Sequence, residues 1–131
     1  MTWKIHKKEI ENVLNMNGPE RYDYFIRKLA DWEEVWSLKA EGGWAMVSSS
    51  DSDKCIPFWP HSEYARICAR DQWEEYSPEA IKIEAFMEKW LVGMSNDGIN
   101  VAVFQLPQNK GVIVSPEKML RDLRSELEQY E

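Results

Sequence analysis

Asn96-Asp-Gly-Ile-Asn-Val-Ala-Val-Phe-Gln-Leu-Pro-Gln-Asn-Lys-Gly-Val-Ile-Val-Ser-Pro-Glu117 passes through a helix stop, two strands and a helix start without a break. Asn96, Asp97 and Gly98 favour the left-handed turn with which helices end. Ile99 to Gln105 is apolar on both alternating faces, Ile99, Val101 and Val103 on one and Ala102 and Phe104 on the other, as an interior strand requires. Pro107 to Gly111 returns the chain into Val112–Val114, which predicts an antiparallel hairpin. Ser115 then supplies a side-chain cap, Pro116 a first helical residue with no N–H to leave unbonded, and Glu117 an acid at the positive helix end. Met119, Leu120, Leu123 and Leu127 form the buried face of this last helix.

Working back from this stretch, Phe86, Met87, Trp90, Leu91 and Met94 lay down a helical stripe over 84–95. Ala80 to Ile83 predicts a brief strand, after a connector in which Trp73 and Tyr76 flank an acidic pair. Pro60-His61-Ser62 leads into a helix reaching about Arg70, with Tyr64, Ile67 and Cys68 inward and His61 or Ser62 as its cap. Cys55 to Trp59 reads as a short strand, and Pro57, which cannot donate to a ladder, suggests an edge position or an irregular end. Ser48 to Lys54 is polar and without period, an exposed loop. Glu34–Lys39 and Trp44–Val47 alternate around the turn Glu41-Gly42-Gly43, a first hairpin in which Trp36 and Trp44 are expected to face each other. Tyr22, Phe25, Ile26 and Leu29 make 19–30 a helix started by Pro19, and Ile10, Val13 and Leu14 make 6–16 a shorter one stopped at Asn17-Gly18. The expected fold is one α+β domain over 1–131, an antiparallel or mixed sheet of about five to six short strands with helices packed mainly on one face.

Of the 131 residues, 16 are Lys or Arg and 23 are Asp or Glu, a net charge of −7. A nucleic-acid binder needs a basic footprint, and this chain lacks one overall: Lys4, Lys7 and Lys8 cluster but are soon followed by Glu9 and Glu11. Nucleic acid and membrane surface are therefore disfavoured, and a basic protein partner is electrostatically easier. No apolar run is long enough to span a membrane and the opening residues lack the apolar core of a secretory signal, so a cytoplasmic location is expected. Two cysteines, Cys55 and Cys68, do not make a disulfide scaffold and default to small buried residues.

Glu20-Arg-Tyr-Asp-Tyr-Phe-Ile-Arg-Lys-Leu-Ala-Asp-Trp-Glu-Glu-Val-Trp36, Pro57-Phe-Trp-Pro-His-Ser-Glu-Tyr-Ala65, Val101-Ala-Val-Phe104 and Val114-Ser-Pro-Glu117 together resemble the uncharacterised bacterial domain-of-unknown-function family 2750 over nearly the whole chain. The resemblance implies a small cytosolic bacterial protein and carries over no catalytic or ligand-binding residue. Val114-Ser-Pro-Glu117 is also similar to segments of secretion-related and immunity-type small α+β proteins, which points to protein binding.

Cys55, His61 and Cys68 are too widely spaced for a usual zinc site, and His6 is the other histidine, so no metal is expected. A cysteine nucleophile would need a lowered thiol pKa beside a base, for which His61 is the nearest candidate; helix capping is the plainer reading of His61. Gly42-Gly43 and the other glycines match neither the phosphate-loop lysine pattern nor GxGxxG, so no cofactor is called for. Asp31, Glu33 and Glu34 form an acidic cluster at the end of a helix, as do Glu74 and Glu75 beside Trp73, and both read first as solvated faces. Seven tryptophans are the unusual quantity. Trp90 lies on a core stripe, whereas Trp32, Trp59 and Trp73 lie at element boundaries beside charge or proline. Tryptophan and tyrosine concentrate at binding hot spots, so the candidate site is a surface of Trp32, Trp59, His61, Tyr64 and Trp73 rimmed by Glu33 and Glu34. Two functions follow: a non-enzymatic adaptor or immunity-like module that binds a protein through this face, or a small hydrolase-like or ligand-binding enzyme using His61 with Glu33, Glu34 or Asp97.

Overall fold

Asn17 closes one helix and opens the next. The computed structural model describes residues 7–48, 54–70, 73–106 and 111–129. In it α1 (Lys7–Leu14) ends ahead of Asn17, and α2 (Gly18–Trp32) begins directly after it. The Asn17 side chain accepts from the Glu20 N–H at 2.8 Å and the Glu20 carboxylate accepts from the Asn17 N–H at 3.0 Å, a reciprocal cap that sets the entry of α2. The predicted stop is thus also a start.

At its other end α2 is closed by Glu33 in the left-handed conformation (φ 59°, ψ 23°), its N–H bonding the Leu29 carbonyl at 2.9 Å. A side chain at such a position costs about 1 kcal/mol that glycine avoids, partly offset by glycine's greater freedom when unfolded. Glu33→Gly is expected to raise stability by about 0.5–1 kcal/mol, seen as a thermal midpoint higher by about 2–4 °C.

The chain continues through β1 (Glu34–Ala40), β2 (Gly43–Trp44), β3 (Val47–Ser48), β4 (Lys54–Phe58), α3 (Ser62–Cys68) and β5 (Ser77–Lys82). A helical run follows, α4 (Ile83–Ala85), a π-helical segment (Phe86–Trp90) and α5 (Leu91–Asp97), then β6 (Asn100–Val103), β7 (Val112–Val114) and α6 (Pro116–Glu128). The α+β class stands. Gly98 ends α5 with φ 71° and the Ser115 hydroxyl caps α6 on the Lys118 N–H at 3.1 Å, both as the sequence predicts. The loop predicted over Ser48–Lys54, the turn over Pro107–Lys110 and the first helical residue His6 lie wholly or mainly outside the described residues.

Among the described residues the strands form two sheets, β2-β1-β5 and β3-β4-β6-β7, in place of the single sheet of five to six strands expected. The first is antiparallel, with a six-residue ladder from Glu34 opposite Lys82 to Lys39 opposite Ser77. The second is mixed, since β4 runs parallel to β6 while β6 and β7 form the expected antiparallel hairpin. Trp36 and Trp59 join the sheets by exchanging two backbone hydrogen bonds of 2.8 Å. The first hairpin is shorter than predicted: β2 stops at Trp44 and the next strand, β3, belongs to the other sheet. Trp44 therefore pairs with Lys39 and Trp36 with Ala80, so the two indoles do not face each other. Pro57 is likewise interior in strand order; β3 covers only Lys54 and Cys55, and the Pro57 carbonyl accepts from the Ser37 hydroxyl at 2.7 Å.

α2 contacts both sheets, through β1 and β7, α6 lies against β6 and α2, and α3 packs on β1 and β5. The core between them is built from Phe25, Leu29, Leu38, Phe58, Trp59, Tyr64, Phe86, Met119 and Leu123. Phe104 also adopts the left-handed conformation (φ 57°) and turns the end of β6 so that the Gln105 carbonyl accepts from Trp59 Nε1 at 2.7 Å and Cys68 Sγ at 3.1 Å.

Candidate functional site

The residues expected to make an aromatic surface are mostly interior. Trp59 and Tyr64 are fully enclosed, Trp73 is 6% exposed and His61 is 4% exposed. The structure does draw them together, but as core: Trp59 meets Trp73 edge to face at 6.2 Å, and the His61 ring meets Trp32 at 5.3 Å. Trp59 is covered because it lies where the two sheets are joined, and its one polar atom is spent on Gln105. Only Trp32, which is half-buried beneath the Lys28 ammonium at 5.1 Å, the exposed Glu33 and the half-buried Glu34 reach solvent. An exposed docking face of these indoles is therefore corrected to an internal aromatic cluster. Trp90, read as core, is half-buried and packs on Trp44 at 4.7 Å and Phe58 at 5.8 Å.

Among the described residues the buried side-chain polar atoms are hydrogen-bonded except Arg21 Nε, the Arg21 guanidinium donating instead through its terminal nitrogen to the Met16 carbonyl. His61 Nδ1 accepts from the Glu63 N–H at 3.1 Å, which caps α3 as predicted and places no proton on that nitrogen. Burial pushes the Cys68 thiol up to about 12, and it donates to a carbonyl, so it is a poor nucleophile. The Tyr24 hydroxyl donates to the Glu9 carboxylate, which commits its one proton. Tyr64, 3.0 Å away, must therefore donate to Tyr24. Burial first, then these bonds for Tyr24, hold both phenols well above the usual tyrosine range. Among the described residues no group of three His, Cys, Asp or Glu is placed to hold a metal ion, and no helix is long and apolar enough to cross a membrane.

An open cleft of about 590 Å³ lies elsewhere among the described residues, between α2 and α6. Tyr22, Asp23, Ile26 and Arg27 line it from α2, and Lys118, Asp122, Ser125 and Glu126 from α6. Helical spacing makes both walls: residues four apart share a face, so Tyr22 with Ile26 and Lys118 with Asp122 and Glu126 are stacked side by side. At its centre the Tyr22 hydroxyl donates to Asp122 and Lys118 Nζ bonds the same carboxylate at 2.7 Å while standing 4.9 Å from the Tyr22 ring centroid. Burial, then the Asp122 bond, raises the Tyr22 phenol, so it stays a donor. Partial burial alone would raise the Asp122 carboxyl, but the bonds from Lys118 and Tyr22 and the charges of Lys118 and Arg121 together hold it below the usual range.

A carboxylate with a lowered folded pKa stabilises the fold above its unfolded pKa, and that contribution is lost as pH falls through the folded value. Asp122→Asn is therefore expected to reduce stability at pH 7 by less than about 1 kcal/mol, the size of an exposed i,i+4 pair with one hydrogen bond. The difference should be smaller at about pH 3 than at pH 7, because the unfolded carboxyl takes up its proton before the folded one does. Urea unfolding of both proteins at the two pH values checks it.

Nothing in the sequence singles this site out, because its residues are individually ordinary surface types. The traceable signal was the series Lys118, Asp122, Glu126 beside the core positions Met119 and Leu123, together with a tyrosine at the edge of the α2 apolar stripe. Fold and cleft together define a small α+β domain with a charged, tyrosine-bearing groove between α2 and α6. Residues 22–123 match the model of a family described as a protein of unknown function, DUF2750, and the chain belongs to that family. No curated protein matches the chain.

Proposed function

We propose that this chain is a non-enzymatic protein-binding module, adaptor-like or immunity-like, that receives a basic protein partner in the cytosol through the cleft between α2 and α6. The observation that supports it most is the bonded set of Tyr22, Asp122 and Lys118 at the centre of an open polar cleft. Groups whose rotamers are already fixed lose little freedom when a partner arrives, so each contact made there retains more of its strength. The cleft carries three acids, Asp23, Asp122 and Glu126, against Arg27 and Lys118, and the chain as a whole carries −7, so a basic partner is steered toward it.

The test is site-specific photo-crosslinking in the native cells, with a benzophenone amino acid placed at Arg27 or Ser125 in the cleft and, separately, at Glu79 on β5 or at Trp32. The expected result is one discrete adduct from both cleft positions and none from Glu79. Adducts from Trp32 alone, or from no position, would count against the cleft.

A further inference from the structure

We infer that the group seated in this cleft is the guanidinium of a partner arginine, held at Asp122; this rests on the cleft being the binding face and adds its chemistry. Tyr22 and Lys118 both bond the same oxygen of Asp122, Oδ2, which leaves Oδ1 to receive a donor from outside the chain. The carboxylate is thus fixed in place and kept charged before any partner arrives. Glu126 follows one turn along α6 and Asp23 stands on the α2 wall, and among the described residues neither is in an ion pair. A planar fork of five donors suits several carboxylate oxygens better than a single ammonium does. The buried Ile26 offers an apolar lining for the arginine stem. Lys118, with its side chain 48% exposed, occupies Asp122 in the free protein as an internal competitor that an incoming guanidinium displaces or joins.

Lys118 enters the test as well, because removing a positive charge that stands on Asp122 should tighten the binding of an incoming cation. The peptide acetyl-Gly-Arg-Gly-Arg-Gly-amide, its citrulline counterpart and inorganic phosphate are titrated separately into the whole protein at low salt, followed by backbone amide NMR. The arginine peptide is expected to shift Ile26, Ser125 and Glu126, and the uncharged citrulline peptide to leave them in place. Asp122→Asn should weaken the arginine peptide about tenfold and Lys118→Met should tighten it about threefold. Equal binding of the citrulline peptide, weakening by Lys118→Met, or the same shifts produced by phosphate would overturn the assignment. Should Asp122→Asn fail to fold, the arginine and citrulline comparison on the unaltered protein decides. Crosslinks from the cleft without arginine selectivity would refute the guanidinium alone, whereas absence of both would refute the binding face as well.

Discussion

Trp59→Ala is expected to unfold in urea at a concentration lower by about 2 M, a loss of about 3–5 kcal/mol at a typical slope for a domain of this size. The side chain is fully enclosed, packs on Trp73 at 6.2 Å, and donates to the Gln105 carbonyl at 2.7 Å. Truncation opens a cavity at the point where the two sheets are joined, and few neighbours can collapse into it without breaking the paired bonds between Trp36 and Trp59. Against a total stability of about 5–15 kcal/mol for domains in general, such a loss is a large share. Trp59→Phe should recover more than half of it, because the ring volume returns and the Gln105 carbonyl keeps its bond from Cys68. A docking residue would behave in the opposite way, with the midpoint unmoved by either change.

Gly111→Ala is the second large effect, expected to destabilise by about 1–3 kcal/mol. A Cβ at this position would lie 2.8 Å from the Val103 carbonyl oxygen and 3.2 Å and 3.3 Å from the Gln105 backbone. These are backbone atoms at the end of β6, where the Phe104 N–H is bonded to the Phe58 carbonyl at 3.0 Å, so they cannot rotate aside. The cause is close approach of two chain segments, not a left-handed backbone. Gly42→Ala serves as the opposite case: nothing lies within 4 Å of its Cβ, and the reduced freedom of the unfolded chain should leave it neutral or more stable by up to about 0.5 kcal/mol. Thermal or urea unfolding should therefore show the Gly111 variant clearly destabilised and the Gly42 variant not destabilised.

The parts of the fold that could be read from sequence are those decided by neighbours along the chain. Ser115-Pro116-Glu117 specifies a helix start through groups within one turn, and His61 caps α3 for the same reason. Partnerships between distant residues are not written that way. Nothing local announces that β4 pairs in parallel with β6 across more than forty residues, or that β2 and β3 belong to different sheets. Pro57 reads as an edge residue because only its missing donor is visible in sequence. The unfilled side is taken by the Ser37 hydroxyl from the other sheet, twenty residues away along the chain.

The candidate site failed for the same physical reason. Trp59 and Trp73 stand at the ends of elements, and the ends of elements are surface only where no other element covers them. Here they meet at the junction of two sheets and α3, which needs large rigid side chains to fill it, and indoles fill it. Trp32, Glu33 and Glu34 were placed correctly near solvent, with Glu33 marking the left-handed turn between α2 and β1. The cleft, in contrast, depends on α2 and α6 lying side by side although Tyr22 and Asp122 are a hundred residues apart.

With the indoles inside, the proposed binding face is the groove between α2 and α6. Hydroxyl-radical footprinting of the free protein, read by mass spectrometry one tryptophan at a time, tests this most directly. Trp59 and Trp73 should stay protected until the protein is unfolded in urea, while half-buried Trp32 and Trp44 are oxidised in the native state. Oxidation of Trp59 and Trp73 in native protein as fast as Trp32 would return them to the surface and contradict the account.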